Sequence, residues 1–316
     1  MTWFQRFLLI TILATLVLVV IGGTVRATDS GLGCPDWPTC HGKLIPSGDH
    51  HTLIEFSHRT AAAVVGVLFL GVTFFAFKDE RRSPLVFWLA FTAGVLLAFQ
   101  IVLGGITVKN DLPPEIVAAH LATAMAFIGV MIVTLAISVM RSRGVRAFAG
   151  ASESAFTRLA ISTAGVALVT LVLGSYISGT EASLACSGWP LCNGSLLPGG
   201  DSDQGLHFLH RLLAGLLGLI TLALIYMAFD ERRRQPVLVA GALAAGALFI
   251  AQALIGAMNV WTELADGVVV AHLSLAALLW CLTIVVSALS FYLPGTVPVD
   301  ADEREAAMRE VAQWAR

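Results

Sequence analysis

Four histidines lie in or at the edge of strongly apolar segments, where an ionisable side chain is costly and usually functional. They form two pairs with the same spacing of 62 residues, His58 with His120 and His210 with His272. Two histidines that face each other at similar depth in a helix bundle are the axial ligands of a bis-histidine haem iron. The spacing therefore predicts two haem sites. A hydrogen-bonded structural histidine is the alternative at any single position.

A zinc or copper site is a second interpretation of these histidines. Zinc usually has three or four protein ligands in one cluster, whereas each pair supplies two, with no cysteine nearby in the sequence. The segment before the first pair contains three more histidines, namely His41, His50 and His51. The corresponding positions of the second half hold Asn, Ser and Asp. We therefore expect these three histidines to be solvated loop residues.

Four of the five cysteines also form pairs. Cys34 and Cys40 have five residues between them, as do Cys186 and Cys192. Both pairs lie in segments that we place on the outer, oxidising side of the membrane, so we predict two disulfides, each within one loop. A structural link and a redox role are both open. Cys281 lies in the last apolar segment and is expected to be a small buried apolar residue.

The segments that position these residues are membrane spans. Of 316 residues, 57% are hydrophobic and 13% are charged, against roughly a quarter charged in a soluble domain, which excludes a soluble fold. A net charge of -2 provides no basic excess for nucleic-acid binding. Apolar windows of about 20 residues predict eight spans, at 7–25, 57–77, 85–108, 116–140, 159–178, 208–229, 236–259 and 268–292.

The distribution of Lys and Arg predicts the orientation. Of the 19 basic residues, 14 lie before the first span, in the three even-to-odd connections and in the tail, and only five lie elsewhere, namely Arg26, Lys43, Arg59, Lys109 and Arg211. Because basic residues favour the cytoplasmic side, we expect both termini to be cytoplasmic and the cysteine loops to lie outside. We expect the protein to lie in the lipid bilayer of the cell membrane.

The chain contains a duplication. Shifting the sequence by 152 residues aligns the cysteines, the four histidines, Gln100 with Gln252 and several glycines without a gap. Each half has four spans, so the halves insert in the same orientation and are related by a pseudo-twofold axis along the membrane normal. We predict an all-α membrane protein with eight transmembrane helices in two tandem four-helix bundles. The first span recurs internally, so we expect a retained helix and no cleaved signal.

The predicted organisation is an N-terminal half, 1–152, a C-terminal half, 153–293, and a cytoplasmic tail, 294–316. Three apolar residues of the tail have helical spacing, namely Met308, Val311 and Trp314. They indicate either an amphipathic helix that lies on the membrane surface or a frayed end.

The cysteine pairs, the segment 55–59 (Glu-Phe-Ser-His-Arg) and two Ala-His-Leu segments resemble the haem A synthase family, whose members oxidise haem O to haem A for cytochrome oxidases. The resemblance covers all eight spans. It implies that His58 and His120 bind substrate haem O and that His210 and His272 ligate a haem b cofactor. It also implies haem O synthase as a partner. The electron donor or acceptor and homo-oligomerisation stay open.

One acidic residue distinguishes the two halves. Glu55 lies three residues before His58, on the same helical face, and its counterpart in the second half is His207. A carboxylate there could stabilise positive charge at the attacked carbon or activate water, which predicts catalysis in the N-terminal half. A first-turn acid that interacts with the helix dipole is the alternative.

Arg59 and Arg211 each follow a histidine of the pairs and are candidates to bind haem propionates. Snorkelling of their side chains to the interface is the alternative. Two other functions use the same features. A membrane bis-haem electron carrier needs haems on opposite sides of the bilayer, whereas all four histidines fall near one face. A thiol oxidoreductase uses outer-loop cysteine pairs but does not need the intramembrane histidines.

Overall fold

A computed structural model of the chain describes residues 1–46, 48–148, 150–195 and 197–294. This part of the chain contains eight α-helices that are long and apolar enough to cross a membrane, which confirms the predicted spans. They are α1 (Trp3–Ala27), α2 (His50–Asp79), α3 (Pro84–Lys109), α4 (Pro114–Ser142), α5 (Ala155–Ser178), α6 (Ser202–Glu231), α7 (Pro236–Trp261) and α8 (Asp266–Ser290). The amphipathic pattern predicted for the tail lies outside the described residues.

Helix starts follow from local sequence. Proline occupies the first position of α3, α4 and α7, where its fixed φ suits a helix and its missing N–H costs nothing. The Asp49 carboxylate caps α2 by accepting a hydrogen bond from the Thr52 N–H. At the matching start of α6, Asp201 accepts from the Asp203 N–H. These caps fix the helices that carry one histidine of each pair.

Helices α2 and α6 begin several residues before the predicted spans, which started at 57 and 208. Their first two turns are rich in polar side chains, so hydropathy does not detect them, and the aspartate caps extend the helices outward. His50 and His51 therefore lie in the first turn of α2, and the expectation that they are loop residues is wrong. His51 Nδ1 hydrogen bonds to the Ser30 hydroxyl at 2.9 Å.

The two halves pack side by side. Helices α1, α4, α5 and α8 form the interface, while α2 and α3 lie on one side of it and α6 and α7 on the other. The contacts α1–α8 and α4–α5 are equivalent under the repeat, as a pseudo-twofold axis requires. At the α4–α8 crossing, a Cβ on Gly129 would lie 2.6 Å from the Trp280 ring. The glycine therefore permits the close approach of the two halves.

The connecting segments repeat the same geometry. His41 and Asn193 both have φ of 53°. Asp111 and Glu263, at the ends of α3 and α7, have φ of 58° and 50°. Positive φ is uncommon outside glycine, so its recurrence at positions 152 residues apart supports the duplication at the level of the backbone.

Both predicted disulfides are present. They join Cys34 to Cys40 and Cys186 to Cys192, with Cα–Cα distances of 4.7 and 4.6 Å. Cys281 is a buried free thiol in α8, as expected. Each disulfide closes a loop between the first two helices of its own half.

Candidate functional site

The four histidines occupy matching positions on matching helices. His58 and His210 are the ninth residues of α2 and α6. His120 and His272 are the seventh residues of α4 and α8. At about 1.5 Å per residue, all four lie within about 9 to 12 Å of the first residues of their helices. This common depth does not suit a carrier that needs haems on both sides of the bilayer.

The structure places the two predicted pairs at equivalent positions in the two halves. His58 lies on α2 and His120 on α4, and His210 and His272 lie at the matching positions of α6 and α8. Each pair therefore lies on two helices of one half, near the end that carries its cysteine loop. This is the arrangement in which two imidazoles can approach one ligand from opposite sides.

Each imidazole rests against a glycine of the preceding helix. A Cβ placed on Gly22 of α1 would lie 3.0 Å from His58 Cε1, and one on Gly174 of α5 would lie 2.9 Å from His210 Cε1. The other two pairs are equivalent. A Cβ on Gly104 of α3 would lie 3.2 Å from His120 Cε1, and one on Gly256 of α7 would lie 3.0 Å from His272 Cε1. We call these four glycines the glycine seats. The sequence reasoning missed their role, although the repeat aligns them.

The ring atoms differ in their surroundings. In all four histidines Nδ1 is buried and has no hydrogen-bond partner among the described residues, while each histidine as a whole residue is partly exposed. Nε2 is the ring nitrogen that is not among these buried, unpartnered atoms. A nitrogen presented in this way can bind a metal.

A glutamine lies beside the second histidine of the second pair. Gln252 Nε2 lies 3.4 Å from His272 Nε2. The Oε1 atoms of Gln252 and of Gln100, its counterpart in the repeat, are buried without a partner in the described part of the chain. Buried polar groups without partners are costly. The unpartnered oxygen of Gln252 therefore suits a site that contacts a polar or metal-bearing ligand.

These features fit a haem better than a small metal ion. Among the described residues, no three His, Cys, Asp or Glu side chains come together as ligands of one ion, so the zinc or copper interpretation lacks its donor set. A haem iron needs only two axial nitrogens, and each half provides two. Haem is therefore the group that the donor sets fit.

Glu55 lies buried in a network that joins α2 to the first cysteine loop. Its Oε2 accepts a hydrogen bond from the Cys34 N–H at 2.9 Å. Its Oε1 accepts two from Arg59, at 2.6 Å from Nη2 and 3.2 Å from Nε. Glu55 is the sixth residue of α2, beyond the first turn, so the interpretation as a first-turn acid is wrong. Removing one partner of a buried ion pair costs about 3–5 kcal/mol.

Arg59 has no free donor. Beyond Glu55, its guanidinium donates to the backbone carbonyls of Cys34, Asp36 and Thr39, at 2.6 to 2.7 Å. These five hydrogen bonds use all five N–H groups of an arginine. Arg59 therefore holds the cysteine loop and uses all its N–H groups within the protein, which does not favour the predicted propionate contact.

The second half lacks this ion pair. His207, at the position of Glu55, is buried, and its Nδ1 lies 3.0 Å from the Ala182 carbonyl oxygen. Arg211 makes three hydrogen bonds, to the carbonyls of Cys186, Pro190 and Leu191. Among the described residues, Nε and one Nη2 proton of Arg211 have no partner. Arg211 thus keeps two adjacent donors that Arg59 has used.

The two cysteine loops are also stabilised differently. In the first loop the Asp36 carboxylate accepts hydrogen bonds from the Thr39 hydroxyl and from the backbone N–H groups of His41 and Gly42. These bonds lower the pKa of Asp36 from 3.8 to about 2. In the second loop the neutral side chain of Asn193 makes the corresponding contacts to Ser187 and Ala185. A titratable group therefore stabilises only the first loop.

Comparison with known proteins agrees with this architecture. The family model described as cytochrome oxidase assembly protein matches residues 5–284 and, in an overlapping match, 202–315. The haem A synthase of Shouchella clausii is 34% identical over 262 residues, covering 82% of this chain and 87% of the relative. The haem A synthase of Alkalihalophilus pseudofirmus is 30% identical, covering 86% and 92%.

A third relative, the haem A synthase of Shewanella oneidensis, is 29% identical over 324 residues, covering 88% of this chain and 93% of its own. These matches include both halves of the chain. All four paired histidines lie within the residues that the family model matches. The chain belongs to the cytochrome oxidase assembly protein family.

Proposed function

We propose that this chain is a haem A synthase, which converts a methyl group of haem O to the formyl group of haem A by successive oxidations. One observation carries the proposal. Two histidine pairs are seated identically in two repeated bundles, yet a buried carboxylate accompanies only the first pair. Two similar sites that differ at one reactive group suit an enzyme with one haem as substrate and another as cofactor.

We assign the substrate to the N-terminal half, 1–152, with His58 and His120 as the residues that bind haem O. The C-terminal half, 153–293, then holds haem b through His210 and His272. The matching positions of the four histidines and the absence of any larger ligand cluster in the described residues support this assignment. When bound, haem b supplies a one-electron redox centre.

Glu55 is the residue that we propose to act in the oxidation. A carboxylate has about four acceptor positions, and Arg59 and the Cys34 N–H occupy three of them. The remaining position is on Oε2, which can take a proton or hold a water molecule about one helical turn from His58. The fixed carboxylate also stabilises positive charge that develops nearby, without the cost of reorganisation during the reaction.

Arg211 is the residue that we propose to hold a haem b propionate. Its Nε and Nη2 protons point from one edge of a planar guanidinium, which suits bidentate binding of a carboxylate. Arg59 cannot do the same, because its edge is occupied by Glu55. A retained cofactor in the second half and an exchangeable substrate in the first are consistent with this difference.

The proposed location is the cell membrane, with both termini in the cytoplasm and the cysteine loops outside. The distribution of basic residues supports this orientation, and the disulfides require an oxidising compartment. Haem O synthase is the proposed partner that supplies the substrate.

Pigment analysis tests the proposed activity. The protein is produced together with a haem O synthase in a host that makes no haem A, and the extracted haems are separated by chromatography. We expect haem A, together with low-spin haem bands in the dithionite-reduced spectrum. Low-spin bands with haem O as the only modified haem would indicate an electron carrier instead. A spectrum without haem bands would contradict both haem functions.

A further inference from the structure

The glycine seats are distinct from the other glycines of the transmembrane helices. Each seat lies four or five residues before the end of an odd-numbered helix, and each faces the Cε1 atom of a paired histidine. Cε1 lies between the two ring nitrogens. The contact therefore occurs at the edge of the ring that joins buried Nδ1 to Nε2.

Replacing a seat by alanine would place a methyl group against this edge. The distances from such a Cβ to Cε1 are 2.9 to 3.2 Å, shorter than ordinary van der Waals contact. An imidazole has two side-chain torsions, so the ring can yield only by rotating or by moving with its helix. Either movement displaces Nε2, and ligand constellations tolerate only about 0.5 Å of displacement.

The other helical glycines provide the comparison. Gly66, Gly165 and Gly215 have no atom within 4 Å of an added Cβ. Gly129 instead faces the core side chain of Trp280. Close approach to a histidine is therefore not a general consequence of glycine in these helices. It occurs four times, once at each paired histidine, on a helix that carries none of the four.

We propose that Gly22, Gly104, Gly174 and Gly256 are positioning residues that fix the direction of the four haem-ligating imidazoles. The inference rests on the proposed haem sites, and it assigns to each histidine ligand one glycine that sets its position. A glycine at each seat lets the ring lie against the neighbouring helix backbone, so two helices of a half define the position of each ligand nitrogen. The second helix, not only the histidine's own, then determines the geometry of the haem.

The test compares two glycines of one helix. Gly174→Ala adds a methyl group beside His210, and Gly165→Ala adds one on α5 where nothing is near. Alanine is the better helix former, so Gly165→Ala should fold at least as well as wild type. We expect Gly174→Ala to retain severalfold less haem b after purification. The remaining haem should show a shifted low-spin ferric electron paramagnetic resonance signal, which reports the orientation of the axial imidazoles.

Gly22→Ala distinguishes an effect on one histidine from a general loss of folding. Its seat serves His58 in the other half, so haem b bound through His210 and His272 reports whether the protein is folded. We expect haem b content and its signal to equal those of wild type, with weaker binding of added haem O. Loss of haem b in Gly22→Ala to the extent seen in Gly174→Ala would overturn the inference, because the effect would then be global.

Two further outcomes distinguish this inference from the proposed function. A wild-type spectrum in Gly174→Ala at full haem content would overturn the positioning role while leaving haem binding intact. Equal losses in Gly165→Ala and Gly174→Ala would also overturn it, since contact with the histidine would not matter. Wild-type protein that binds no haem at all would instead contradict the proposed function.

Discussion

The two halves of the molecule share a frame and differ in one network. Helix starts, histidine positions, glycine seats and disulfides all recur with the same offset. Three residues before the first histidine of each pair, however, Glu55 binds Arg59 and the Cys34 N–H, whereas His207 leaves Arg211 with unused donors. A duplicated scaffold can thus provide two equivalent ligand sites and acquire reactivity at one of them through a single position.

A second difference concerns the tryptophan of each cysteine loop. Trp37 packs on α3, where a Cβ on Gly105 would lie 3.0 Å from its ring. The counterpart of Gly105 in α7 is Ala257, which is buried, and Trp189 instead forms an edge contact with Trp261 at 6.1 Å between ring centroids. The first loop therefore lies directly against the helix that carries the seat of His120.

The helices that carry parts of the two sites also pack on each other. Gly22 seats His58, and a Cβ on its neighbour Gly23 would lie 2.9 Å from Leu273 of α8, which follows His272. Residues next in sequence to the two sites are therefore in contact at the helix interface. A resident redox group in one half and a substrate in the other would be neighbours across α1 and α8.

The largest expected effect follows from removing the charge of Glu55. Glu55→Gln keeps the size of the side chain but cannot accept a proton or stabilise positive charge as a carboxylate does. We expect formation of haem A to fall by roughly 10²-fold or more, the range for loss of one such group. Chromatography of extracted pigments measures the rate, and haem b content should not change.

The control for this variant is His207→Ala at the equivalent position. It should reduce haem A formation much less, because among the described residues the hydrogen-bond partner of the His207 side chain is the Ala182 carbonyl. Haem A formation at the wild-type rate in Glu55→Gln would show that the carboxylate only holds the loop.

An intermediate effect is expected from the two arginines. Arg211→Gln removes the proposed donors to a propionate, and a hydrogen bond to a charged group contributes about 1.5–3 kcal/mol. We expect haem b affinity to fall by about tenfold or more. Titration of the apoprotein with haem b measures it. Arg59→Gln should leave haem b affinity unchanged but disturb the first loop. Equal losses in the two variants would remove the distinction between the arginines.

The smallest effect concerns the acid stability of the first loop. The folded pKa of Asp36 is below its ordinary value of 3.8, so its hydrogen bonds stabilise the loop fully above pH 3.8. This contribution is lost as the pH falls towards about 2. We expect faster hydrogen exchange in residues 34–42 over this range, relative to residues 186–194, where Asn193 does not titrate. Asp36→Asn should remove the difference, and parallel exchange of both loops would contradict the prediction.

The sequence predicts the frame of this molecule well, because its signals are strong and local. Long apolar runs predict the spans, the gap-free offset predicts the relation of the halves, and short cysteine spacing predicts the disulfides. The paired histidines follow from the same repeat. Each of these inferences depends on residues close in sequence or on an exact recurrence. None of them requires knowledge of side-chain packing.

The site details depend on contacts that composition does not encode. The partners of Arg59 are backbone carbonyls of a loop, and their direction follows from the path of that loop. The first turn of α2 was missed because His50 and His51 are polar, and only the Asp49 cap reveals the helix start. The glycine seats left one signal, their alignment in the repeat, but glycines are too common in membrane helices for that signal to indicate contact with a histidine.

The division of labour between the halves is the central claim, and haem b retention tests it most directly. Each of the four histidines is replaced by alanine in cells that make haem b but no haem O, and the haem content of the purified proteins is measured. We predict that His210→Ala and His272→Ala lose haem b, whereas His58→Ala and His120→Ala keep it at the wild-type level. Loss of haem b in His58→Ala equal to that in His210→Ala would contradict the account.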